Sequence, residues 1–155
     1  MNYRNLLIES LRSGTIASIV IMPIGFGFKY LGLRVGHYGP KLAETLFGNA
    51  SEAVVMAQHF VIGWLSAVPL VFALAIIGKR APSVWIGALY GALYYVLVNS
   101  FALPLLYGDL TPWQLGFSYI YPSLLGHIVY GASIGFTARK FIESNKFRSA
   151  SGAID

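Results

Sequence analysis

Cysteine is absent from the chain. That excludes disulfides, thiolate metal sites, iron–sulfur clusters and dithiol redox chemistry. Charge is scarce too: only 11% of the 155 residues are charged, and Asp and Glu together number 6. Soluble domains carry about twice that charged share, so this chain cannot cover a water-facing surface. Carboxylate chemistry is correspondingly thin. Glu52 and Asp109 each lack a second carboxylate at helical spacing. Nucleophile elbows, phosphate loops and zinc-protease helices are missing as well. Ser66 and His59 share a helix face but stand about 10 Å apart along it, too far for a nucleophile and its base. The sequence therefore argues against an enzyme. The net charge of +5 does not signal nucleic acid either, because the basic residues sit at the ends of apolar runs rather than in a patch.

Apolar residues are plentiful, at 56%. Four runs are long enough to cross roughly 30 Å of hydrocarbon as helices. They cover about Gly14 to Leu31, Ala53 to Ile77, Val84 to Leu106 and Pro122 to Ala138. Arg4, Arg12, Lys79, Arg80, Arg139, Lys140, Lys146 and Arg148 fall on one side of these spans, against Lys29, Arg34 and Lys41 on the other. That bias predicts an inner-membrane protein with both termini in the cytoplasm. The first run has a basic start, as a signal peptide does, but no small-x-small cleavage site follows Gly25, so it reads as a retained span. Tyr107, Trp113, Phe117, Tyr119 and Tyr121 crowd the outer interface, where amphipathic rings prefer to sit.

The connections carry turn and cap signals. Asn49-Ala-Ser-Glu52 and Thr111-Pro-Trp-Gln114 have capping-box spacing and predict helix starts. The second predicts a short interfacial helix that Pro122 bends into the fourth span. Gly36 to Pro40 predicts turns in the long first outer loop. Residues 1–143 are expected to form one transmembrane domain and 144–155 a mobile cytoplasmic tail. Pro23, Pro69 and Pro104 fall inside spans, where neighbouring helices can satisfy the freed carbonyls.

Two stretches rhyme. His59-Phe-Val-Ile-Gly63 opens into the second span and His127-Ile-Val-Tyr-Gly131 into the fourth. Gly14-x-x-x-Ser18 and Gly87-x-x-x-Gly91 rhyme more loosely in the first and third. The expected architecture is all-α: a four-helix membrane bundle of two tandem hairpins, related by a pseudo-two-fold axis along the membrane normal. Small residues at four-residue spacing, Gly63, Gly87, Gly91, Gly131 and Gly135 among them, predict the helix-packing seams.

Intramembrane ionisable residues are costly and usually functional. His59, His127 and Asn99 are expected in one slab of the outer half of the bilayer, with Tyr130 adding a hydroxyl and Glu52 above them nearer water. Four uses compete. Each histidine is neutral and fixes helix register by hydrogen bonding, for instance to Asn99. Or His59 and His127 ligate a haem b from both sides. Or they bind zinc or copper with a carboxylate such as Glu52 or Asp109. Or the cluster handles protons, a small solute, a lipid head group or a partner helix. His37 reads as an ordinary loop histidine, with Glu44 and Glu52 near enough for a weak cation site. Partners expected from the sequence are the lipid bilayer and either a second copy or a larger membrane complex.

Gly14 to Pro23, His59 to Gly63, Gly87 to Gly91 and His127 to Gly135 together resemble the YagU-like bacterial inner-membrane proteins and related four-helix families. The resemblance touches all four spans. It implies a polytopic inner-membrane protein and brings no established biochemical activity and no catalytic residues.

Overall fold

A computed structural model describes residues 3–77 and 83–151, the stretch 144–151 as backbone only. Among the described residues the chain is all-helical, with no strand. Helix α1 spans Tyr3–Tyr30, α2 Tyr38–Phe47, α3 Glu52–Ile77 and α4 Ser83–Tyr94. A π-helical segment, Tyr95–Ala102, continues α4 into α5, Leu103–Tyr107. The short α6, Pro112–Leu115, precedes α7, Phe117–Ser151. Three of these are long and apolar enough to cross a membrane: α1, α3 and the composite Ser83–Tyr107.

Their outward faces carry large apolar side chains, among them Leu11, Ile19, Phe26, Leu65, Ile76, Leu89, Leu93 and Leu97. A surface this continuously apolar suits lipid rather than water. α7 is the central element. It packs along both α1 and α4 and also touches α3, while α3 barely meets α4. Between Tyr121 and Ala138 its fully exposed residues are only Leu125 and Phe136. A helix covered by its neighbours has little need of apolar residues on every face, which is why α7 carries serines, tyrosines and a histidine.

The seams are made by the small residues. A Cβ on Gly87 would overlap the Gly131 carbonyl, one on Gly91 the His127 carbonyl, and one on Gly135 the Ser83 carbonyl. The α4 and α7 backbones are therefore in direct contact. The α1–α3 seam is looser: a Cβ on Gly14 would lie 3.0 Å from the Gly63 carbonyl oxygen and 3.2 Å from Ala67 Cβ. Without a hydrophobic drive between helices in lipid, such close approach supplies the packing energy. Beyond the seams, Leu70, Val71, Leu74 and Ile134 form a cluster of buried apolar side chains.

Several boundaries differ from the sequence expectation. α1 begins at Tyr3 rather than near Gly14. Its first turns are polar on one side only, and Glu9, Ser10 and Ser13 are buried there. Glu9 is held by Arg12 (2.7 Å), whose Nη2 also donates to the Thr137 carbonyl (2.9 Å). The first outer loop contains a ten-residue helix, α2, instead of turns alone. Asn49 does not cap α3. Its side chain accepts from Ser51 N–H (2.8 Å), forming a turn just ahead of the helix. At the other predicted start the capping box forms as expected, with Gln114 Oε1 accepting the Thr111 N–H (2.9 Å). Gly116, at φ 104°, makes the break before α7, a conformation open to glycine alone. Pro122, expected at the junction, instead lies inside α7. The helix continues through 144–151. Lys79 and Arg80, the stop expected after the second span, lie outside the described residues.

Gly91→Ala should therefore force α4 off α7 at a cost of about 1–3 kcal/mol. Gly126→Ala, which meets open space, should leave stability unchanged or slightly higher. Thermal unfolding in detergent, followed by tryptophan fluorescence, compares the two.

Candidate functional site

The four long helices converge on one cavity of about 90 Å³. From α1 it receives Ser18 and Ile21, and from α3 His59, Ile62, Gly63 and Ser66. Gly91 and Tyr94 line it from α4, His127 and Tyr130 from α7. The two histidines that the sequence singles out thus border the same space. No charged residue lines it.

Their hydrogen bonds fix their tautomers. His127 Nδ1 lies 2.7 Å from the Ser123 carbonyl. A carbonyl only accepts, so Nδ1 carries the hydrogen. The lone pair on Nε2 then accepts from Asn99 Nδ2 at 3.0 Å. Both nitrogens are used by a neutral ring, and Tyr94 stacks on it with centroids 5.8 Å apart. Asn99 reaches this position from the π-helical segment, where Leu103 N–H bonds the Val98 carbonyl five residues back. Such geometry is rare and gathers where a side chain must be re-aimed. His59 differs. Its Nε2 donates to the Ser18 carbonyl at 3.2 Å, and among the described residues Nδ1 has no partner.

Tyr130 and Ser66 form the floor. The Tyr130 hydroxyl donates to the Gly63 carbonyl and accepts from Ser66 Oγ at 3.0 Å. Tyr90 donates to the Ser66 carbonyl at 2.6 Å and so ties α4 to α3 at the same level. Sequence reasoning placed Tyr130 in the cluster but missed Ser18, which it treated as a packing residue. Ser18 is completely buried, and its hydroxyl has no hydrogen-bond partner. The available signal was its position, a hydroxyl at the step where the other hairpin carries Gly91.

Glu52 does not join the site. It opens α3, exposed, away from the cavity. Asp109 is committed elsewhere, to Lys41 at 2.5 Å, with His37 Nε2 at 3.6 Å from the same oxygen. Thr45 Oγ1 and the Tyr107 hydroxyl meet at 3.1 Å, so α2 is fastened across to the α5–α6 turn. His37 Nε2 faces Asp109 without a hydrogen bond, rather than Glu44 or Glu52, both of which are exposed.

A haem does not fit these residues. It is far larger than the cavity, His127 has no free nitrogen, and α4 and α7 touch backbone to backbone at the level of His127. For a metal, no group of three or more His, Asp or Glu side chains converges among the described residues. Comparison with protein-family models, with curated proteins and with solved structures finds no match.

The hydrogen bonds predict two distinct ring states. Solid-state NMR of lipid-embedded protein should find His127 as the Nδ1–H tautomer and His59 as the Nε2–H tautomer. A double-mutant cycle of Asn99→Leu with His127→Ala should give a coupling of about 0.6 kcal/mol, the usual worth of such bonds in bilayers.

The outer fastening should respond to acid. Burial first, then the charges of Arg34 and Lys41, push the His37 imidazole below its ordinary value. The hydrogen bond from Lys41 is the main reason the Asp109 carboxyl is held low. Both folded values are depressed, so the unfolded state binds more protons, and stability is lost as the pH falls. The His37 contribution should fade below about pH 6.5 and that of Asp109 below about pH 4. Hydrogen exchange of the α2 amides, corrected for intrinsic rate, should rise in those two windows. His37→Gln should remove the upper window and Asp109→Asn the lower.

Proposed function

We propose that the chain is a four-span inner-membrane protein, both termini cytoplasmic, that binds a small uncharged polar solute between its two hairpins. α7 would be the fourth span. The observation that carries this reading is a cavity bordered by both His59 and His127 and by all four long helices. Its volume is smaller than the roughly 150 Å³ space that accepts benzene, so the solute has only a few heavy atoms. The apolar packing of Leu70, Val71, Leu74 and Ile134 beneath it supports a blind pocket rather than a pore. Binding, not catalysis, suits the groups present. His59 bonds the Ser18 carbonyl and not its hydroxyl, so no base activates a nucleophile there. The YagU-like resemblance is compatible with this role.

The absence of cysteine makes single-cysteine labelling clean. Ser51→Cys should react with a membrane-impermeant maleimide from outside intact cells, and Asn5→Cys only after permeabilisation. Ile62→Cys, beside the cavity, should react with 2-aminoethyl methanethiosulfonate, whereas Leu70→Cys, in the packed inner half, should not. An unreactive Ile62→Cys would replace the binding role with that of a helical scaffold.

A further inference from the structure

The two sides of the cavity correspond residue by residue. One sequence offset carries Ser18 to Gly91 and Ile21 to Tyr94, and another carries His59 to His127 and Ile62 to Tyr130. All eight residues line the cavity. Their polar groups, however, are spent unequally.

On the second hairpin nothing polar in these positions is left to seek a partner except the Tyr94 hydroxyl. His127 bonds Ser123 and Asn99, Tyr130 donates its hydrogen to Gly63, and Gly91 has no side chain. The first hairpin differs at each polar step. Phe26 stands where Asn99 stands in the second, so His59 has no amide beside its remaining nitrogen. Ser18 stands where Gly91 stands, and its buried hydroxyl has no partner.

That hydroxyl had an easy alternative. Serines and threonines inside helices commonly bond the carbonyl four residues back, as Ser10, Ser13, Thr15, Ser133 and Thr137 do here. Ser18 does not, although Gly14 offers the carbonyl. A fully buried hydroxyl without a partner is uncommon in native proteins; those of Tyr95 and Ser100 are buried without partners too, but of the three only Ser18 borders the cavity, where a ligand can reach it. The cavity has no charge to balance an ion, and an uncompensated ion would not enter so apolar a space.

Resting on the binding role above, we propose that Ser18 and His59 are the recognition pair for the solute and that the second hairpin supplies only its aromatic wall. The Ser18 hydroxyl donates to an acceptor oxygen of the solute, and His59 Nδ1 accepts from the solute's own N–H or O–H. The ligand class is a small neutral amide or alcohol.

The test uses full-length protein in nanodiscs with Ile62→Cys as reporter and acetamide and acetate as probes. Acetamide should slow modification by 2-aminoethyl methanethiosulfonate, while acetate at the same concentration and pH should not. Adding Ser18→Ala should weaken the protection by about fivefold, the effect of one typical hydrogen bond. The unliganded Ser18→Ala protein should melt at or above the parent temperature, because an unsatisfied hydroxyl has been removed. That control separates lost recognition from lost folding. A reporter that reacts but gains no protection from acetamide would mean that water alone fills the cavity, overturning this proposal while leaving an accessible cavity intact. Protection equal in the Ser18→Ala background, or equal with acetate, would also overturn it. A reporter that never reacts would overturn the binding role itself.

Discussion

Direct contact between the α4 and α7 backbones is the constraint on which the rest of the structure depends. Three glycine positions, 87, 91 and 135, sit against carbonyl oxygens of the facing helix, and Gly131 sits against Gly87 in return. In a bilayer, apolar side chains gain nothing by leaving lipid for another helix. Helix association must come from dispersion between closely placed backbones and from interhelical hydrogen bonds. Once α4 and α7 are in contact at Gly91 and His127, the His127 ring has nowhere to go but toward Asn99 on one side and the cavity on the other.

The looser α1–α3 seam follows from the same logic. Ser18 occupies the step that Gly91 occupies in the other hairpin, and Ala67 the step of Gly135. Each adds atoms between the backbones. Space therefore opens beside the first hairpin at the level of Ser18, while the second is tight, although Tyr95 and Ser100 on it also carry buried hydroxyls without partners. Two hairpins of similar pattern thus make a cavity with one polar and one aromatic wall. α7 then packs broadly on α1, whereas α3 meets α4 only sparsely, so the assembly is not a strict two-fold even though the sequence pattern suggested one.

The end of the molecule that carries α2 has its own organisation. α2 is anchored by Lys41 to Asp109 and by Thr45 to Tyr107, and Gln58 on α3 donates to the Gly39 carbonyl at 3.1 Å. Lys41 also lies 5.6 Å from the Tyr107 ring centroid and Arg34 5.6 Å from that of Tyr119. Cations over aromatic rings at this height suit the interfacial zone, where tyrosines present both an apolar body and a polar tip.

Periodicity and composition alone determined the all-helical class, the three long apolar helices and the glycine seams, because each depends on local spacing along one chain. That Asn99 could meet a histidine was legible as one of several partners, since rise per residue sets position along a helix. The α2 helix, the break at Gly116 and the start of α1 at Tyr3 were not, because helix limits depend on what covers their polar turns. Tertiary structure decided that Glu52 and Asp109 stay out of the site and that Ser18 enters it. Which polar groups find partners depends on the distance between helices, and that distance is set by contacts between residues far apart in the sequence.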